Sequence, residues 1–292
     1  MQILFIALLL AGILGFFAPP VTSGLTARFR RTPGLVWALP FLLAGVFSAA
    51  AAAAGVFRFE LALSVLAYCA APVACAWTAR HLAARAWAAD FAAVLLLWLP
   101  IEFSAGAALV PKPAQGFLHT VAYGIAILLG LSLFLCFREW KDMKYRLPGE
   151  RRDLWLPLAA FAVTAPVLIA IGIPIGFIPP PHLPVAPAGK MAAAVAIIFA
   201  GTALPEEILF RSLIQNLLSE RLGSGIRPLL LASFIFGCAH LDNGPQPLPN
   251  WRYMILATVA GIAYGKVFEK STTVTSSALL HMMVDWTKHF FF

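Results

Sequence analysis

The sequence consists of long apolar stretches that are separated by short polar segments. A helix needs about 20 apolar residues to cross the hydrocarbon core of a bilayer. Lone strands are not expected there, because their backbone hydrogen-bonding groups stay unsatisfied in lipid. The pattern therefore predicts an all-α, polytopic membrane bundle with about ten transmembrane helices. The predicted spans are residues 2–19, 35–57, 60–78, 87–109, 117–137, 154–178, 190–219, 228–241, 251–268 and 272–290.

The most polar stretch, residues 138–153, divides the chain into two halves. We therefore expect N-terminal transmembrane helices of unassigned role over residues 1–150 and a separate membrane core over residues 151–292. The first half contains no cluster of reactive side chains. Nearly all polar residues of chemical interest that interrupt apolar stretches lie in the second half.

Composition supports a membrane protein and excludes several other classes. Hydrophobic residues make up 61% of the 292 residues and charged residues 12%, whereas soluble chains have about 45–50% and 25%. So few charges cannot cover a water-exposed surface, which excludes a soluble enzyme, a disordered regulator and a disulfide scaffold. The formal net charge is +8, but the basic residues lie in short loops, where they indicate topology rather than binding of nucleic acid.

Basic residues are concentrated in alternate loops of the predicted bundle. The positive-inside rule places these loops in the cytoplasm and both termini on the other side of the membrane. We therefore expect an integral protein of a bacterial cell membrane, with a site that is accessible from the cytoplasmic side. The loops concerned include residues 28–31, 138–152, 221–227 and 266–270.

Two adjacent glutamates, Glu206 and Glu207, interrupt the seventh predicted span. Ionisable residues inside a span are costly, and each is by default a candidate functional residue. A purely structural interpretation is that Pro205 restarts a helix and that both carboxylates interact with its positive N-terminal end. Glu207 and Arg211 are spaced to pair on one helix face, whereas Glu206 is rotated from Glu207 by about 100°. Glu206 is therefore the better candidate for a general base, although the reverse assignment stays open.

Imidazole and carboxyl groups of two further spans lie at the same predicted depth as Glu206. His240 ends the eighth span, and His281 and Asp285 are one helical turn apart in the last span. A lone histidine in a span is often only a partner in a helix-to-helix hydrogen bond. With a rise of about 1.5 Å per residue, however, three helices bring polar groups to one layer, which predicts a shared site. A carboxylate and an imidazole can deprotonate a water, and a second imidazole can stabilise an oxyanion. This chemistry is amide hydrolysis without a covalent enzyme intermediate.

The three motifs resemble those of the CPBP family, which comprises CAAX proteases, bacteriocin-processing enzymes and Abi-type glutamic membrane endopeptidases. Glu206-Glu207 with Arg211 resembles the EExxxR motif of that family, Phe236 to His240 resembles FxxxH, and His281 to Asp285 occupies the HxxxN position. The resemblance covers residues 206–285. It implies that residues 151–292 are a catalytic membrane core and that the protein is an intramembrane endopeptidase. The implied partners are the bilayer and a membrane-embedded or lipidated substrate, such as a CAAX-type or other C-terminal tail.

The resemblance also implies a role for each motif residue. By position, Glu206 and His240 activate the water, and His281 forms an oxyanion hole together with the residue at 285. Structural support of the site is implied for the remaining motif residues, which are Glu207, Arg211 and Phe236.

Position 285 departs from the family pattern, because it is Asp where Asn is commoner. An ionised Asp cannot donate a hydrogen bond to an oxyanion, so Asp285 either stays protonated or pairs with a charged His281. The other solution is a metal, since Glu206, His240, His281 and Asp285 form a nitrogen and oxygen ligand set. The sequence lacks the HExxH motif of common zinc proteases. We expect a glutamate-activated water and no cofactor, with zinc as the alternative.

Two other functions are compatible with the same residues. Intramembrane acids and histidines also form proton relays, and broken helices bind substrates in transporters, so a proton-coupled transporter is one alternative. Against it, we find no paired half-repeats, and the polar groups cluster in one half of the chain. The second alternative is a catalytically silent immunity or scaffold protein of the same family, which is expected to have lost a motif residue.

Overall fold

The computed structural model describes residues 1–82, 86–244 and 247–292. All regular elements in these ranges are helices, which confirms the predicted all-α class, and their number roughly matches the prediction. The helices are α1 (Gln2–Gly15), α2 (Pro19–Arg31), α3 (Pro33–Ala53), α4 (Phe59–Ala79), α5 (Ala86–Glu102), α6 (Lys112–Phe137), α7 (Arg151–Gly172), α8 (Ala188–Leu222), α9 (Ile226–Cys238), α10 (Trp251–Lys270) and α11 (Val274–Phe291).

Several helices have the length and apolar character of membrane spans, so the chain is an integral membrane protein. Within the described ranges, α3, α4, α6, α7 and α8 are each long and apolar enough to cross a bilayer. Helices α1 and α2 count as one further span if a bend of 82° between them is allowed. The bend lies where Pro19 begins α2, because proline fits the first turn of a helix but not its interior. The outer face of α7 exposes Leu154, Trp155 and Leu158, as expected for a face in contact with lipid.

The described residues form two compact units, Met1–Lys141 and Asp142–Phe292. The second unit begins before residue 151, because the segment that leads into α7 is bonded to helices of that unit. The Lys144 ammonium donates to the carbonyl oxygens of Phe268 (2.7 Å) and Ser271 (3.1 Å). Burial lowers the pKa of Lys144. These bonds attach the segment to the C-terminal end of α10.

The turn between α10 and α11 is bonded to the first turn of α7. The buried Asp153 carboxylate accepts hydrogen bonds from the backbone N–H of Thr272 (2.8 Å) and from its hydroxyl (2.6 Å). Ser276 donates to the carbonyl oxygen of Asp153 at 2.7 Å. Because α11 starts at this turn, the bonds fix the position from which its polar residues project.

Glycines allow α9 and α10 to approach each other and α8 closely. A Cβ added at Gly237 on α9 would lie 2.7 Å from the carbonyl oxygen of Met254, and one at Gly265 on α10 would lie 2.6 Å from Gln215 Oε1. Both distances are too short for a side chain without a shift of neighbouring atoms. The motif residues on these three helices can therefore meet inside the second unit.

Candidate active site

The two glutamates lie in the interior of a continuous helix. Helix α8 runs from Ala188 to Leu222, and Leu204–Glu207 is flanked by wide π-helical stretches at 199–203 and 208–215. The interpretation that Pro205 restarts a helix is therefore wrong. Proline in a helix interior removes one backbone hydrogen-bond donor. The π-helical turns on either side of this segment change the backbone hydrogen-bond pattern next to the proline, and such turns occur often at functional sites. Apart from the proline itself, we find no sequence signal for these wide turns.

Glu206 and Glu207 occupy different environments, as their rotation about the helix axis predicts. The Glu206 side chain is 23% exposed and lines a cavity, whereas the Glu207 side chain is fully buried. Adjacent residues of one helix thus present one carboxylate to the cavity and the other to the packed interior.

The Glu207 carboxylate is held by donors from two helices. Arg211 Nε donates to Glu207 Oε2 at 3.1 Å, and the Ser277 hydroxyl donates to the same oxygen. His281 Nδ1 lies 3.1 Å from Oε1. The fully buried Arg211 also donates to Gln215 Oε1 at 3.3 Å. This arrangement joins α8 to α11 and balances one buried charge with another.

The His281 imidazole faces carboxylates at both of its nitrogens. Its Nδ1 contacts Glu207, and its Nε2 lies 3.4 Å from Asp285 Oδ2 and 3.9 Å from Glu206 Oε2. The ring stacks on Tyr264 with a centroid distance of 4.5 Å and an interplanar angle of 20°. The position and the plane of this ring are therefore fixed by three helices.

His240 follows the C-terminal end of α9, which spans only Ile226–Cys238. Its Nδ1 lies 2.8 Å from the carbonyl oxygen of Phe236. A carbonyl oxygen only accepts hydrogen bonds, so Nδ1 donates, and Nε2 carries the lone pair in the neutral ring. The edges of Phe236 and Tyr253 contact the ring, with centroid distances of 4.7 and 4.5 Å. The tautomer and orientation of His240 are thus set by its immediate surroundings.

One cavity of about 100 Å³ collects the four residues that were predicted to carry the chemistry. Glu206 from α8, His240 after α9, and His281 and Asp285 from α11 all line it. The residues predicted to support the site lie around it. Phe236 also lines the cavity, packs against both histidine rings, and has the Arg211 guanidinium 5.3 Å from its ring centroid.

Three further ionisable residues that line the cavity were not identified from the sequence. They are Tyr253 and Tyr264 of α10 and Lys288 of α11. The Lys288 ammonium lies 4.5 Å from the ring centroids of both Phe177 and Tyr253. Helical spacing was an available signal, because Lys288 lies on the same face of its helix as Asp285, and the two tyrosines lie on one face of theirs.

The carboxylates of the possible zinc ligand set face histidine nitrogens. In the described ranges, no group of three or more His, Cys, Asp and Glu side chains has a geometry that can hold a metal ion. Glu206 and Asp285 both approach the same nitrogen of His281, and Glu207 occupies the other nitrogen. Glu206 and Asp285 thus face the nitrogen through which His281 would bind a metal.

Comparison with known proteins points to the same family as the three motifs. Residues 188–287 match the family model described as type II CAAX prenyl endopeptidase Rce1-like, and the match includes all three motifs. No curated protein and no solved structure matches the chain. The resemblance to the CPBP family is confirmed, because residues 188–287 match the Rce1-like family model.

Proposed function

We propose that the protein is an intramembrane endopeptidase that hydrolyses a peptide bond in a membrane-embedded or lipidated protein or peptide. The substrate class is a CAAX-type or other C-terminal tail. The observation that carries the proposal is that the two adjacent glutamates occupy different environments. Glu206 shares a cavity with His240 and His281, while Glu207 is bonded to Arg211, Ser277 and His281.

Glu206 and His240 are the residues proposed to activate water. Glu206 takes a proton from a water that is also held by the lone pair of His240 Nε2. The hydroxide oxygen then forms a bond to the carbonyl carbon of the substrate, and the carbonyl electron pair moves to its oxygen. When the carbonyl reforms, the carbon–nitrogen bond breaks, and the leaving nitrogen takes the proton from Glu206. General acid–base catalysis of this kind contributes about 10²–10⁴-fold to a rate.

His281 is proposed to stabilise the oxyanion through its Nε2–H. Glu207 acts as a positioning residue, because its contact with Nδ1 orients the ring and favours a proton on both nitrogens. Asp285 contacts the same Nε2 from the cavity wall. A fixed donor in a site that excludes water stabilises developing charge more than the same donor in water. We attribute the oxyanion role to His281 together with residue 285.

The proposed function is tested by cleavage in proteoliposomes, with a prenylated and an unprenylated peptide as substrates. Replacing His240 with Asn is expected to lower kcat/KM by about 10²–10⁴-fold, because the lone pair directed at the cavity is lost. New peptide termini are quantified by mass spectrometry. His182→Asn is the matched control, because this histidine lies in an exposed loop, and it should leave the rate unchanged. Proton flux coupled to the substrate in the absence of cleavage would support a transporter instead.

Asp285→Asn is expected to retain most of the cleavage activity. The amide oxygen still accepts from His281 Nε2, and the amide nitrogen adds a donor for the oxyanion. Asp285→Ala removes the oxygen that contacts His281 Nε2 and adds no donor, so we expect its rate to fall well below that of the Asn variant. The rates of the two variants are compared in the same assay. If Asn inactivates the protein as completely as Ala, the negative charge at position 285 is essential and the oxyanion role is rejected.

A further inference from the structure

The cavity lies towards the end of the second unit at which α11 terminates. The lining residues nearest that end are Phe177, Tyr253, Lys288 and Phe292, and we call this part of the cavity the mouth. Contacts between separate segments hold this end together, since Phe177 stacks on Tyr253 at 4.8 Å and the His182 backbone N–H donates to the carbonyl oxygen of Phe291 at 2.9 Å.

Solvent exposure of the polar side chains increases along α11 towards the mouth. The side chain of Asp285 is 32% exposed and that of Glu206 is 23% exposed, whereas His281 is 4% exposed and Glu207 is fully buried. Along α11, the residues approach the mouth in the order His281, Asp285 and Lys288. This gradient is the basis for assigning access of water and substrate to the end of the unit where α11 terminates.

The opposite end of the second unit is closed by hydrogen bonds. Asp153 is bonded there to the turn before α11, and Lys144 is bonded to the last carbonyl groups of α10. The loop between α8 and α9, residues 223–225, lies at this end too, because α8 runs away from the mouth and α9 runs back towards it. No residue of these segments lines the cavity. We call this the closed end.

Basic residues are unequally divided between the two ends. In cytoplasmic loops, Lys and Arg are enriched, and this bias sets the orientation of a membrane protein. The closed end has Lys144, Arg146, Arg151, Arg152, Arg221, Arg227, Lys266 and Lys270, and the mouth end has Lys190, Arg252 and Lys288. The bias places the closed end in the cytoplasm and the mouth on the opposite face of the membrane.

We propose that the site takes its substrate from the extracytoplasmic face of the membrane. The substrate class is then a membrane-associated segment that has already been translocated, and not a tail that stays in the cytoplasm. This inference rests on the proposed function, which makes the cavity a catalytic site that takes a substrate. It reverses the expectation of cytoplasmic access, which used the depth of the polar layer but not the end at which the cavity opens.

Apolar side chains near the mouth suit such a substrate. Leu183 and Val185 in the loop before α8 are almost fully exposed, and Leu248 and Trp251 before and at the start of α10 are more than half exposed. Tryptophan is enriched at the interface between membrane and water. A segment that lies in this interface can therefore contact apolar surface before it enters the cavity.

The test measures which side of the membrane reaches the cavity, with a membrane-impermeant maleimide as the probe. Thr287 lines the cavity without a proposed catalytic role, so Thr287→Cys reports on it. Val185→Cys reports on the mouth end and Ser224→Cys on the closed end, and both positions are exposed. The unmodified chain gives the background from its four native cysteines. The variants are labelled in spheroplasts of a bacterial host and in inverted vesicles.

We expect the reagent to label Thr287→Cys and Val185→Cys in spheroplasts and to label Ser224→Cys only in inverted vesicles. Labelling of Thr287→Cys only in inverted vesicles overturns the proposal. So does the absence of labelling at this position in both preparations, because the cavity would then be closed. The readout does not depend on catalysis. The expected labelling without cleavage of any substrate would reject the endopeptidase function but not the orientation of the cavity.

Discussion

Glu206→Gln is expected to lower the cleavage rate by about 10²–10⁴-fold, because glutamine cannot take a proton from water. The substitution keeps the volume and one oxygen acceptor of the side chain. Glu206 is partly exposed in the cavity, and the buried Arg211 pairs with Glu207. The folded state should therefore lose little stability. The measurements are kcat/KM in proteoliposomes and the thermal midpoint of unfolding in detergent.

The matched control for this prediction is Glu150→Gln, which changes an exposed glutamate at the start of α7. This variant should keep the wild-type cleavage rate. Full activity of Glu206→Gln would reject Glu206 as the base, and the remaining assignment would be Glu207. A large fall in the thermal midpoint of Glu206→Gln would instead indicate that this carboxylate is structural.

Helical geometry made part of the site predictable from the sequence. The spacing of Glu207 and Arg211 predicts a pair on one face, and the structure contains it as a fully buried ion pair. The rotation between adjacent residues predicts that Glu206 points elsewhere, and Glu206 lines the cavity. Both results depend only on the geometry within one helix, which sequence spacing determines.

Other features depend on packing between helices and were not predictable. The contact of His281 Nδ1 with Glu207 fixes the orientation of the imidazole ring. The two residues lie on different helices, so no spacing within one helix indicates this contact. The wide turns around Glu206 depend on how α8 fits its neighbours. The depth of the polar layer was inferred from regular rises along the helices, but the end of the unit towards which the cavity lies depends on how the helices pack.

Charge balance explains why two glutamates are adjacent. Glu207 satisfies Arg211 and orients His281, so it cannot also serve as a base without giving up those bonds. Glu206 stands on the same turn but faces the cavity, where a carboxylate can exchange protons. In the proposed mechanism, the same short segment therefore supplies both the positioning group and the reacting group.

Glu207→Ala and Arg211→Ala are each expected to destabilise the protein by about 3–5 kcal/mol, the usual cost of leaving one member of a buried ion pair uncompensated. Glu207→Ala leaves the buried Arg211, which is bonded to Gln215, without its counter-charge and removes the contacts of Glu207 with Ser277 and His281. Arg211→Ala leaves the buried Glu207 carboxylate without its counter-charge. The free energy of unfolding is measured by denaturation in mixed micelles. Glu206→Gln serves as the control that removes a neighbouring charge without breaking the pair.

The combined variant Glu207→Gln with Arg211→Met separates pairing from packing. It removes both charges and keeps most of the side-chain volume, so its loss of stability should be smaller than the sum for the two alanine variants. It should still be inactive, because neutral glutamine no longer holds a proton on both nitrogens of His281. If Glu207→Ala leaves the free energy of unfolding unchanged, the pair is not structural and the separation of roles between the two glutamates fails. Recovery of stability without recovery of cleavage is the result that assigns Glu207 to the positioning of His281 as well as to the fold.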